Sequence, residues 1–138
     1  DNKVNGNAVL YTPEAGYNGP DSFTYKANDG TDDSNTATVE ITVKHVNHAP
    51  TVGDVSSASP EDTPLTIQLK GTDSDDDMLD FRIVDTPEHG TLGAFTDMVH
   101  TGDTTTVKVV YTPEANYNGP DSFTFVANDG LADSNTGT

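Results

Sequence analysis

Apolar and polar residues alternate along short stretches of this chain and nowhere follow a helical stripe. Ala37-Thr38-Val39-Glu40-Ile41-Thr42-Val43 sets its apolar side chains on one face and its polar ones on the other. The same period runs through Leu65-Thr66-Ile67-Gln68-Leu69, Val107-Lys108-Val109-Val110-Tyr111 and Phe123-Thr124-Phe125-Val126-Ala127. A period of two belongs to half-buried strand, because successive side chains point to opposite faces. Asn-Gly, Asp-Gly and Gly-Pro pairs separate the runs and supply turns. The pattern predicts a strand over Thr36–Lys44 and others near 51–56, 63–70, 78–84, 90–95, 105–112 and 121–128. Short antiparallel strands at such spacing predict an all-β Greek-key sandwich, with about seven strands per domain.

Residues 11–38 read YTPEAGYNGPDSFTYKANDGTDDSNTAT and residues 111–138 read YTPEANYNGPDSFTFVANDGLADSNTGT. Of these 28 positions 22 are identical, at a constant offset of 100. The period is that of a whole sandwich domain, longer than a solenoid unit. The frame predicts a boundary at Asn47. Residues 1–46 read as the C-terminal part of one repeat and 47–138 as a second repeat lacking its last strand. Strand 36–44 is the element that the second repeat lacks. Strand donation to an open edge, within the chain or between identical subunits, is therefore expected to stabilise the array.

Composition changes this picture in one respect. The chain of 138 residues carries 23 acidic against 6 basic side chains, a formal net charge of −17, and 32% hydrophobic residues. Low apolar content with high charge is the mark of disorder, but here the apolar residues are concentrated in the alternating runs. The charge excludes nucleic acid as a partner, since phosphate neutralisation needs Lys and Arg. No apolar run is long enough to enter a membrane, and the first residues are not expected to form a leader. The absence of Cys removes disulfides, thiolate metal sites and Cys nucleophiles. No Gly-x-Ser-x-Gly, His-Glu-x-x-His or phosphate-loop pattern occurs, so an enzyme is not expected.

The densest acid lies in Gly71-Thr72-Asp73-Ser74-Asp75-Asp76-Asp77-Met78-Leu79-Asp80, between two expected strands. Carboxylates this close repel unless a cation or open water relieves them. An EF-hand counted from Asp73 fails, because Met78 stands where Gly is required and Val84 where the bidentate Glu should be. What remains is an Asp-x-Asp-x-Asp run in a β loop, whose hard oxygens suit Ca2+ better than Mg2+. A solvated acidic loop without an ion fits the same residues.

Three motifs carry a resemblance. KANDGTDDSNTATVEITVKHVNHAP (26–50), SPEDTPLTI (59–67) and GTDSDDDMLDF (71–81) follow one another as the A-x-D-x-G end, the linker, the early glutamate and the D-x-D element of a cadherin repeat. The chain resembles still more the bacterial cadherin-like (Ig-like) tandem repeat, with its YTPxANYNGxDSFTF and NDG segments. That resemblance implies Ca2+ held at the junction of successive repeats. It implies as ligands Asp73 and Asp75 of the D-x-D pair, Asp129 of A-x-D-x-G, Asn47 of the linker and Asp77 as an addition. The preceding repeat would supply Glu14 or Asp21, and Glu61 with Glu114 or Asp121 would face the next junction. The linker departs from the family pattern, with His48 where a carboxylate is common, which lowers the expected count within a range of one to three ions.

The resemblance further implies a calcium-stiffened structural or adhesive repeat of a large extracellular surface protein or fibre, with neighbouring repeats as partners. Two alternatives remain open on the residues: a module that binds cell-surface polysaccharide, and an accessory module of a secreted hydrolase. The absence of Trp counts against stacking on sugars.

Overall fold

The computed structural model describes residues 8–138, and all its regular structure is β among them. Two compact units divide at Val46/Asn47. The first repeat's residues 1–7 lie outside the described residues.

In the first unit, β1 (Gly19–Tyr25) and β2 (Ala37–Val43) form an antiparallel pair running from Gly19 opposite Val43 to Tyr25 opposite Ala37. The alternation read from the sequence is visible in β2, where Ala37, Val39, Ile41 and Val43 are half-buried and the residues between them exposed. The loop joining the strands closes on itself. Asn28 Nδ2 donates to Asp33 Oδ1 at 2.8 Å, Gly30 N–H to Asn28 Oδ1 at 2.8 Å, and Ala27 N–H to Ser34 Oγ at 2.9 Å. Gly30 sits at φ 104°, a backbone conformation that favours glycine.

The second unit contains β3 (Thr51–Val52), β4 (Leu65–Thr72), β5 (Asp80–Asp85), β6 (Gly90–Leu92), β7 (Thr96–Thr101), β8 (Thr104–Pro113) and β9 (Thr124–Asn128). One sheet has the order β3-β4-β8-β6, with β7 also on β8, and the other is β5-β9. The core lies between the two sheets. Ile67 and Leu69 of β4 and Val107 and Val109 of β8 meet Phe81 of β5 and Phe125 of β9, all buried. Gly71 is set by lack of space: a Cβ there would lie 2.7 Å from Leu79 Cδ1.

Six strands were expected in this unit, and the structure has seven. The added one is β7, exposed along its whole length and joined to β8 by a tight turn with Gly102 at φ 55°. A strand with no buried face has no alternation to read. Strand β3 is shorter than expected, pairing with β4 only at Thr51 and Val52, and Val52 is also held by the side chain of Asn135. Its Oδ1 accepts Val52 N–H at 3.0 Å and its Nδ2 donates to Val52 C=O at 2.8 Å.

Candidate metal centre

Strand β4 carries core side chains up to Gly71 and then releases the chain into the acidic loop. Asp73 N–H donates to the Asp103 carbonyl at 2.7 Å, which ties the start of the loop to the β7–β8 turn. Leu79 N–H donates to Thr105 Oγ1 at 3.2 Å and Leu79 is fully buried, which ties the end. Between these anchors the backbone turns tightly, with Asp76 N–H on the Asp73 carbonyl at 3.3 Å and Asp76 at φ 61°. Asp75 N–H donates to Asp73 Oδ1 at 2.8 Å.

This folding brings Asp73, Asp75 and Asp77 together, each with a carboxylate oxygen within 4.8 Å of the others. Asp73 is 1% exposed, and its Oδ2 is buried with no hydrogen-bond donor. A buried carboxylate oxygen lacking a donor is costly unless a positive charge faces it. The donor set is all hard oxygen, which matches Ca2+.

The linker joins the same end of the unit. Asn47 Nδ2 donates to Asp129 Oδ2 at 2.8 Å, while Asn47 Oδ1 is buried without a partner. Asp129 Oδ1 already accepts the N–H groups of Leu131 at 2.7 Å and Ala132 at 2.6 Å. The bond from Asn47, then those from Ala132 and Leu131, hold the Asp129 carboxyl below the ordinary aspartate range. Sequence reasoning placed His48 as a missing ligand; the structure gives it a different task. Its N–H donates to Asp75 Oδ2 at 2.7 Å, and its Nδ1 lies 3.1 Å from Asp75 Oδ1, so the linker aims that carboxylate.

The other candidates lie elsewhere. Glu61 precedes β4 and Glu114 follows β8, at the opposite end of a strand pair whose far end begins the acidic loop. Eight residues of β4 separate the two ends, about 26 Å at 3.3 Å per residue. Glu61 Oε2 accepts a long bond from Asn118 Nδ2 at 3.4 Å, and Glu114 Oε2 lies 3.7 Å from His89 Nδ1. Glu14 and Asp21 belong to the first unit. The Glu14 carbonyl accepts Tyr17 N–H at 3.1 Å, and Asp21 Oδ2 accepts Tyr11 O–H at 2.7 Å.

Asp121 anchors the corner beside Glu114. Its carboxylate accepts the N–H groups of Glu88 and His89 at 3.0 Å, Ser122 N–H at 2.9 Å and Tyr111 O–H at 2.8 Å. Burial opposes its charge, but these four donors together keep its carboxyl below the usual value. Burial first, then the bond to Asp121, pushes the Tyr111 phenol up to about 12. Tyr117 is held too, stacked on His89 at a ring separation of 4.0 Å with its hydroxyl donating to the Pro120 carbonyl at 2.7 Å.

No solved structure matches the chain. A 61-residue stretch, 41% of this chain, is 46% identical to integrin beta-like protein A of Dictyostelium discoideum, and it spans 3% of that protein's length. The bacterial Ig domain family matches residues 2–42 and again residues 47–138, divided where the structure divides into its two units. With both units matched, almost the whole all-β chain belongs to the bacterial Ig domain family.

Proposed function

We propose that the chain is a calcium-binding structural repeat of an extracellular surface protein, in which the ion fixes the entry of the linker into the second unit. The observation that carries this reading is the buried Oδ2 of Asp73, without a donor beside the carboxylates of Asp75 and Asp77. Asp73, Asp75 and Asp77 hold the ion. Asn47 turns an unpartnered carbonyl oxygen inward, and Asp129 acts by orienting Asn47. The ion supplies positive charge where three carboxylates would otherwise repel, and draws the acidic loop and linker into one arrangement. Neighbouring repeats supply further carboxylates of the Glu14, Asp21, Glu61 and Glu114 type.

Such modules bind Ca2+ at roughly 10⁻⁴–10⁻³ M, a range filled outside cells and not in the cytosol. Membership of a family of Ig-like modules and the likeness to an integrin beta-like protein support a surface location. The role is mechanical, to set spacing and stiffness in an array that presents other domains. A glycan-binding role has less support, because the Tyr117 ring is stacked on His89 and its hydroxyl bonded internally.

Titration calorimetry with CaCl2 tests the proposal. The chain binds with a dissociation constant in the stated range, and Asp73→Ala with Asp75→Ala abolishes the heat while the far-ultraviolet β spectrum persists. A chain that takes up no calcium, or a double variant that binds as the parent does, refutes the site.

A further inference from the structure

Both ends of the acidic loop are fastened to one hairpin. Strand β7 turns through Gly102 and Asp103 into β8, with Thr101 opposite Thr104 and His100 opposite Thr105. The Asp103 carbonyl accepts Asp73 N–H at 2.7 Å where the loop begins. Thr105 Oγ1 accepts Leu79 N–H at 3.2 Å where the loop ends. Asp73, Leu79 and Thr105 are all buried, so water does not stand ready to replace a lost bond.

The Thr105 hydroxyl has a second partner, His100 Nδ1 at 2.9 Å. A hydroxyl carries one hydrogen and two acceptor positions. Leu79 N–H takes one acceptor position, and among the described residues His100 is the group within reach of the hydrogen. This balance requires Nδ1 to be the acceptor, with the imidazole proton on Nε2. With the proton on Nδ1 instead, Thr105 Oγ1 would face two N–H donors. Its own hydrogen would then be buried without an acceptor, which is the costly arrangement.

The backbone of β7 is shaped to make this contact. Phe95, just before β7, meets Phe81 edge-on at a ring separation of 6.4 Å and packs against the core. Phe95 and His100 are five positions apart, which in a regular strand sets them on opposite faces. One extra residue resolves the conflict. Thr96 lies opposite Lys108 and Val99 opposite Thr106, so two residues, Asp97 and Met98, stand against Val107 alone. Asp97 takes φ 51°, uncommon for a residue with a Cβ, and Lys108 Nζ holds its carboxylate at 2.9 Å. Phe95 and His100 thereby share the core side of the sheet.

We propose that His100 is a positioning residue of the candidate metal centre. Its Nδ1 fixes the Thr105 hydroxyl, and that hydroxyl fixes the end of the loop carrying Asp77. This role rests on the calcium reading given above, whereas the anchor itself exists in the ion-free chain. His100 is not a ligand, since the cluster consists of Asp73, Asp75 and Asp77. Asp77 lies two residues before Leu79, so a Leu79 N–H released from Thr105 leaves Asp77 free to move away from Asp73 and Asp75. Replacing His100 therefore leaves every ligand oxygen in place in the sequence and raises the cost of gathering them. Calcium then binds more weakly for want of a preformed loop.

Two readouts need no calcium. In mildly alkaline buffer with excess chelator, nitrogen-15 NMR of the His100 ring reads the tautomer, and hydrogen exchange reads the Leu79 amide. The expected ring carries its proton on Nε2 and none on Nδ1. His100→Leu, which has no acceptor, speeds Leu79 exchange roughly three- to tenfold, as the loss of one hydrogen bond does. By calorimetry it weakens CaCl2 binding about tenfold, the lower end for a group that orients a metal ligand. His100→Asn, whose Oδ1 occupies the same place on the side chain as Nδ1, restores most of both. A residue that merely filled space would be replaced better by Leu than by Asn. Thr105→Val reproduces the effects of His100→Leu, and the two changes together add nothing further. A ring protonated on Nδ1, Leu79 exchange unchanged in His100→Leu, or His100→Asn as impaired as His100→Leu overturns the proposal. Equal calcium affinity in the parent and His100→Leu overturns the positioning role. A parent that takes up no calcium refutes the function proposed above and with it that role, whereas tautomer and exchange still separate a true anchor from none.

Discussion

Replacing Asp73 with Asn reverses the sign of its effect on stability when calcium is added. In the folded chain Asp73 is 1% exposed, Oδ1 accepts Asp75 N–H at 2.8 Å, and Oδ2 has no donor. Asp75 and Asp77 bring their oxygens within 4.8 Å. Without a cation this carboxylate destabilises the fold. Asn removes the charge and keeps an oxygen for Asp75 N–H, so in excess chelator the variant gains about 1–3 kcal/mol, the scale of an unmet buried polar group. With calcium at a hundredfold excess over its dissociation constant, the parent gains about 2.7 kcal/mol. The variant gains far less, having lost a charged ligand. At about 4–8 °C per kcal/mol for a domain of 60–100 residues, the parent melts roughly 11–22 °C higher with calcium than without. The order of the two proteins therefore inverts between the two buffers. Scanning calorimetry of both proteins in chelator and in calcium reads this directly. If Asp73→Asn is less stable than the parent by the same margin in both, no cation faces Oδ2 and the reasoning fails.

Gly71→Ala drives a methyl to 2.7 Å from Leu79 Cδ1 and 3.2 Å from Phe81 Cζ, and overpacking of this kind lowers stability by about 1–3 kcal/mol in urea unfolding. Tyr111→Phe deletes the donor to Asp121 Oδ2; a loss near 1 kcal/mol is expected, at the low end for a bond to a charged group because solvent screens the site, with the Asp121 carboxyl titrating higher by NMR. Acid releases the linker: the Asn47 bond depresses the Asp129 carboxyl, so its contribution is present above the unfolded value of about 3.9 and lost as pH falls through the lower folded value. Asn47→Ala should bring the Asp129 titration back up, and an unchanged titration would show that the bond does not form in solution.

Strands with one buried face were legible before any coordinates: β2, β4 and β8 keep the alternation that their sequences display, whereas in β9 the consecutive residues Phe125, Val126 and Ala127 are all buried, so its two faces are both covered. Strand β7 was not, because Thr96–Thr101 is exposed on both sides and holds its place through backbone pairing to β8. The bonding of Val52 to Asn135, 83 residues away in sequence, was not legible either, because no local pattern signals such a partner. The acidic trio was legible because an Asp-x-Asp-x-Asp run in a tight loop must bring its carboxylates together. Asn47 and Asp129 came from the order of family motifs. The holding of Asp75 by His48 was missed because His48 was weighed as the loss of a carboxylate ligand, whereas its own N–H is what binds. Asp121 was weighed as a ligand too, yet it is spent on donors from Glu88, His89 and Tyr111; only the folded corner reveals that.

The Asn-Asp-Gly loop is built twice from the same internal bonds. Asn128 Nδ2 reaches Asp133 Oδ1 at 2.8 Å and Ala127 N–H reaches Ser134 Oγ at 2.9 Å, the distances found one repeat earlier. Each copy carries its own fastening and borrows none from next door. A unit of this kind that is gained or lost in an array therefore brings or takes its closed loop whole, and the loops of the units that remain keep the bonds they had.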